Sequence, residues 1–295
     1  MKPATSLIIF TVLSGFGFGL IFWLNLNLHS PNNFPNIIIF PVGFVISILG
    51  LVSSTFHLGN PQRALLAFTQ WRSSWLSREA VLAVLTLLIS FVNAILIIFY
   101  KTYFNWLGLI ASGFCLLTIF STAMIYTQMK TVPRWNMKIT PILFLLYGIA
   151  GSSIILNNAL FSSLLFAILG LVQVSTWKKG DQEFERLSNI GTATGLSKNN
   201  EIVRMLEPPH TGSNYLLKEM VHIVAQKHIH KLRWISLFLL SFFPTMLCLV
   251  TGMITTNYTT IIIIVIGSLN IIGTLVSRWL FFSEAEHVVG LYYDR

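Results

Sequence analysis

The sequence predicts an all-α protein, a polytopic membrane bundle of about eight transmembrane helices. Three observations predict it. Only 10% of the residues are charged and 54% are hydrophobic, with mean hydropathy +0.73, where soluble domains carry about 25% charge. Apolar runs recur near the length of about 20 residues that a helix needs to cross the hydrocarbon core. The basic residues are also sorted by loop. Lys101, in the third loop, is the one Lys or Arg on the odd-loop side, and the other 18 of 19 lie on the side shared by both termini.

The runs fall at Ser6–Leu26, Ile37–Phe56, Ser77–Phe99, Phe104–Thr127, Ile139–Leu156, Ala159–Trp177, Trp234–Thr255 and Thr260–Phe282. The first is too long for a signal peptide and lacks a small-x-small cleavage site, so it reads as an uncleaved span. Within it Gly15 and Gly19 share one helical face at the spacing that lets helices approach closely, and Gly17 does not. Asn157 and Asn158 separate the fifth and sixth runs and read as a tight turn, because the joined length exceeds one bilayer. Short loops rich in Lys and Arg stay cytoplasmic. The expectation is therefore a single integral membrane domain over 1–295 with both termini cytoplasmic.

The sizeable polar segment is loop six, 178–233. Its first half is broken by GT, TG and PPH. Its second half has a plausible N-cap at Ser213, then Leu216, Leu217, Met220, Val221 and Val224 at helical spacing. It reads as an amphipathic helix, resting on lipid or docking a soluble partner.

Composition excludes several classes. Cys115 and Cys248 both sit in apolar runs, too few for an iron–sulfur cluster and without zinc spacing. The net charge of +9 fits loop orientation signals rather than nucleic-acid binding. No His lies in mid-membrane, so the reading includes neither haem nor metal in this chain. No pair of Gly/Pro-broken spans recurs in two halves, which weighs against an inverted-repeat transporter.

The candidate site centres on Ser54–Ala80, STFHLGNPQRALLAFTQWRSSWLSREA. Glu79 is the one acid in the first 180 residues and opens the third span. A carboxylate in a first helical turn favours the macrodipole, and one at membrane depth is a candidate for proton transfer. His57 ends the second run, where it either favours the helix dipole or exchanges a proton near neutral pH. Arg63 follows Gly59 and Pro61, so the chain turns it back towards the membrane. Arg278 lies inside the last run and either snorkels or pairs with Glu79. Glu284 and His287, at i and i+3, share a face. Arg134 falls on the same membrane side.

The stretch FHLGNPQRALLAFTQWRSSWLSREA, with STAMIYTQMKTVPRWN, EPPHTGSNYLLKEM and RWLFFSEAEHVVGLYY, resembles the membrane anchor subunit of dimethyl sulfoxide reductases, within the polysulfide-reductase-type anchors. The matching segments spread over nearly the whole chain. The resemblance implies a haem-free, eight-helix anchor that oxidises menaquinol. It implies electron transfer to a ferredoxin-like iron–sulfur subunit, which feeds a molybdopterin catalytic subunit in anaerobic respiration. The family's His and acid fall on His57 and Glu79, and Arg63, Arg278 and His287 complete the expected quinol site. A passive anchor without its own quinol site and a secondary transporter are the rival readings.

Overall fold

A computed structural model of the chain describes residues 3–28, 35–57, 60–156, 158–187, 190–196, 203–204, 206–207, 228–254 and 260–293. The described residues form no strand. Helices α1 (Thr5–Asn25), α2 (Asn36–Ser53), α3 (Trp75–Ile98), α4 (Asn105–Thr127), α5 (Ile139–Ser152) and α6 (Ala159–Leu187) follow in order. The short α7 (Ile190–Thr194), then α8 (Ile229–Leu237), α9 (Phe243–Ile254) and α10 (Thr260–Ser283) complete the set. Two 3-10 segments, Ser54–His57 and Pro61–Phe68, connect α2 to α3. Eight helical stretches are long and apolar enough to cross a membrane, with α8 and α9 forming one of them. The chain is thus an all-helical, multi-pass membrane protein.

Helix α1 is the hub, packed on α2, α4, α5 and α10. Its glycines permit this. A side chain on Gly19 would run into the Gly148 carbonyl of α5, and one on Gly148 into the Gly15 carbonyl. Of the expected Gly15/Gly19 face, Gly19 meets α5, a side chain on Gly15 would meet nothing within 4 Å, and Gly17 turns towards Ser47 on α2.

A π-turn, Phe238–Phe242, joins α8 to α9. Pro244 has no N–H, so the Leu240 carbonyl four residues earlier loses its helical donor. The Asn270 side-chain amide of α10 donates to that carbonyl instead, at 2.9 Å. The Phe161 N–H donates to Asn158 Oδ1 at 3.1 Å, starting α6, and α5 and α6 pack on one another; Asn157 of the expected turn lies outside the described residues.

Three expectations change. Helix α3 begins at Trp75, after an extended Ser74, so Glu79 is its fifth residue and lies beyond the dipole-favoured first turn. Helix α6 continues to Leu187 and α8 begins at Ile229, which shortens loop six from both ends. Helix α10 stops at Ser283, so Glu284 and His287 share no helical face. The helix expected after Ser213 lies outside the described residues.

Candidate functional site

One end of the bundle gathers the start of α1, the end of α2, the start of α3 and the end of α4. Ser53 Oγ on α2 donates to the Ser6 carbonyl on α1 at 3.3 Å, and Glu79 on α3 meets Thr122 on α4. Glu79 is 4% exposed. Thr122 Oγ1 donates to Glu79 Oε1, and the same hydroxyl lies 3.1 Å from the Thr118 carbonyl. A hydroxyl has one proton to give. When the carboxyl carries a proton, it donates to Thr122, and Thr122 donates to Thr118, so every group in the chain is satisfied. When the carboxyl is ionised, the Thr122 proton turns to it. The site accommodates both states with neutral partners.

Arg78, next in sequence, does not pair with Glu79. It folds back, donating from Nε to the Trp71 carbonyl at 3.0 Å and from Nη2 to the Arg72 carbonyl at 2.6 Å. Its guanidinium lies 4.4 Å from the Trp75 ring centroid. These contacts pin the α2–α3 connection over the start of α3. That connection exposes Phe56, Leu65, Leu66 and Trp71, an apolar surface suited to the membrane boundary. His57 ends the first 3-10 segment, which packs on α1, and Arg63 sits in the second, which packs on α3. Both backbones therefore lie at the Glu79 end.

Arg278 neither snorkels nor pairs with Glu79. It is 1% exposed, with its guanidinium 3.5 Å from the Phe144 centroid and 4.4 Å from that of Tyr147. Its Nε and Nη1 have no hydrogen-bond partner among the described residues. The reason is position: Tyr126, Phe144 and Phe281 form a ring cluster around it. Two small cavities flank Arg278, one shared with Thr122 and one with Tyr147, Gln173 and Glu284. In the second, Tyr147, Gln173 and Ser277 hydrogen-bond one another.

Two further acids, Asp181 and Glu284, form an ion cluster that sequence reasoning missed. Arg134 donates to Asp181 at 2.7 Å and to Glu284 at 3.1 Å. Arg233 donates to Asp181 at 2.8 Å and to Glu284 at 2.7 Å. This ties the α4–α5 connection, α6, α8 and the segment after α10 together. His287 lies in the same segment after α10 as Glu284. Its Nδ1 accepts from the Val289 N–H at 3.1 Å, and the Val288 N–H donates to the Thr131 carbonyl at 3.0 Å. Burial holds the His287 imidazole below its ordinary value of 6.5.

Comparison with known proteins agrees with the geometry. A family model described as DMSO reductase anchor subunit (DmsC) matches residues 1–283. The chain is 28% identical to a subunit of the sulfite dehydrogenase of Allochromatium vinosum, covering 100% of this chain and 99% of that relative. No solved structure matches. A chain with eight helices among its described residues long and apolar enough to cross a membrane, matched over nearly its whole length, belongs to the DMSO reductase anchor subunit family.

Proposed function

We propose that this anchor carries a menaquinol site at the Glu79 end and exchanges electrons with an iron–sulfur subunit, which serves a molybdopterin catalytic subunit. The observation that carries the reading is Glu79: a buried carboxyl at membrane depth whose hydrogen-bond partner is a neutral hydroxyl. Menaquinol reaches the start of α3 from the lipid, beneath the apolar α2–α3 connection. Glu79 takes a proton as the quinol is oxidised, and His57 hydrogen-bonds a quinol hydroxyl. Arg63 orients the headgroup from the same connection. Arg278 and His287 act from further off, Arg278 by placing a cation behind Thr122 and His287 by holding the C-terminal segment. In this reading the end lies, with both termini, on the cytoplasmic side of a bacterial inner membrane, an orientation that the basic loops favour.

Glu79→Gln in the assembled complex tests this. Quinol-dependent turnover should fall by about 100-fold or more, the usual effect of losing a proton acceptor, with subunit assembly and artificial-donor activity unchanged. Normal quinol turnover would remove Glu79 from the mechanism and favour a passive anchor. Solute uptake by the purified chain alone would favour a transporter.

The relative's name favours a second direction of flow. A sulfite dehydrogenase takes electrons from its substrate, so an anchor serving a partner of that kind would deliver them to a quinone. The Glu79–Thr122 pair serves either direction, since a carboxyl that accepts a proton from quinol also returns one to quinone. The partner's substrate sets the direction.

A further inference from the structure

The buried stripe of α3 is polar where a membrane helix would ordinarily be apolar. Glu79, Thr86, Ser90 and Asn93 all lie on it, at spacings that share one helical face. Helix α4 answers with Thr122, Thr118 and Cys115, and α1 with Asn25. These eight side chains are each at most 6% exposed. Thr86 and Thr118 share a hydrogen bond at 2.8 Å across the α3–α4 interface. One turn further on, Asn25 Nδ2 donates to Ser90 Oγ at 2.8 Å and lies 3.8 Å from Cys115 Sγ. Asn93 Nδ2 then donates to Asn25 Oδ1 at 3.0 Å. At the far end, the Asn25 carbonyl and the Tyr103 hydroxyl both border Gly108, and Tyr103 lies in the loop after α3. From Glu79 to Asn93 is 14 residues, about 21 Å along a helix axis.

Helix adhesion accounts for part of this seam. Ser and Thr on membrane helices bond across interfaces and back to their own carbonyls, as Thr86 does to Leu82 and Thr118 to Phe114. Adhesion does not account for two features. The seam begins on a titratable carboxyl. Asn93 Oδ1, in a fully buried residue, has no donor among the described residues, and an acceptor left so at an adhesive contact costs about 1–3 kcal/mol. The hydroxyl layers stand one helical turn apart, about 5–6 Å, a gap that one water closes with two hydrogen bonds of about 2.8 Å.

We propose that this seam, with waters between its layers, conducts the proton from Glu79 to the opposite membrane face, so that quinol oxidation is vectorial. The proposal rests on the quinol reading of Glu79. Menaquinol gives up two electrons and two protons. The electrons pass to the iron–sulfur subunit, which is the oxidant. Each proton goes to the Glu79 carboxylate in turn and leaves through Thr122, the Thr86–Thr118 pair, Ser90 and Asn93 before the next arrives. In the quinone-reducing direction the same seam supplies protons instead.

The test uses the native complex in sealed vesicles with a pH dye trapped in the lumen. A menaquinol analogue is the donor and external ferricyanide the acceptor, so only complexes with the soluble subunits outside turn over. Each quinol reduces two ferricyanide ions and frees two protons. Direct oxidation of the analogue is subtracted with vesicles that lack the complex. The expected result is lumenal acidification by the wild type. Thr86→Val and Thr118→Val should slow it by about 100-fold or more, the range for a broken proton-transfer step, and Thr118→Ser should keep it. Quinol oxidation with all protons appearing outside would overturn the inference and leave the quinol site standing. Unchanged lumenal acidification in both Val variants would overturn the route. No oxidation by the assembled wild type would overturn the quinol reading and the seam with it. Where a Val variant fails to assemble, the wild-type sidedness still decides.

Discussion

Replacing Glu284 by Gln should cost far more stability than replacing Asp181 by Asn, although both acids bind the same two arginines. Glu284 accepts from Arg134 Nη1 at 3.1 Å, Arg233 Nε at 2.9 Å and Arg233 Nη2 at 2.7 Å. Its side chain is 2% exposed, against 43% for Asp181. Removing one partner of a buried ion pair costs about 3–5 kcal/mol, because the other charge stays desolvated. Gln keeps the volume and one acceptor, so the lower end, about 3 kcal/mol, applies. At the exposed Asp181, water replaces the lost carboxylate and the cost is about 0.5–1 kcal/mol. At about 2–4 °C per kcal/mol for a chain of this order, Glu284→Gln should lower the unfolding midpoint by about 6–12 °C and Asp181→Asn by about 1–4 °C. Thermal unfolding in detergent, followed by intrinsic fluorescence, measures both. Equal shifts, or a silent Glu284→Gln, would refute the claim that burial sets the difference.

Arg278→Met should shift the same midpoint by less than Glu284→Gln does. An unpaired buried cation gives up about 2 kcal/mol of ring contact but also its desolvation penalty, and a large loss would mean that Arg278 has a carboxylate partner. Gly148→Leu should lower the yield of folded protein, since its Cβ meets the Gly15 carbonyl and overpacking costs about 1–3 kcal/mol; a normal yield on size-exclusion would show that α1 and α5 have slack. The folded pKa of His287 lies below its ordinary 6.5, so the unfolded segment binds the proton more readily. The stability of the C-terminal packing therefore falls as pH drops through 6.5 and levels off below the folded value. Protonation of Nδ1 also removes the acceptor for the Val289 N–H. Hydrogen-exchange protection at 288–293, taken relative to the intrinsic base-catalysed rate at each pH, should fall between pH 7 and 5, and His287→Asn should flatten that slope.

Span number was legible because bilayer thickness fixes helix length, whatever the helices pack against. The end of α6 was not. Lys178, Lys179 and Asp181 ended the apolar run, yet the helix continues, because Asp181 meets two arginines distant in sequence. Glu79 stood out as a solitary acid, but its partner Thr122 did not, since a Thr in an apolar run reads as ordinary. The signal was present in α3: Glu79, Thr86, Ser90 and Asn93 mark one face of a helix whose other faces are Leu, Val and Phe. Arg278 was flagged by position, but its ring cage required knowing that α4, α5 and α10 converge.

The environments of the acids assign them different work. Asp181 and Glu284 each face two guanidinium groups, so adding a proton to either breaks ion pairs and loosens four connected segments. Those acids tie the segments together through their ion pairs. Glu79 faces a hydroxyl that can donate or accept. Adding a proton there reverses a hydrogen bond and breaks no ion pair. The cation that could have fixed its charge, Arg278, is instead held by aromatic faces, which do not change with pH. A carboxyl that cycles between two protonation states at every turnover needs this separation, and a carboxyl kept for architecture does not. Introducing a fixed cation beside Glu79, as in Thr122→Lys, should therefore stop quinol turnover while the complex still assembles. Thr122→Ser, which keeps the hydroxyl, should retain it. Equal turnover in the two variants would show that the neutrality of this partner is immaterial.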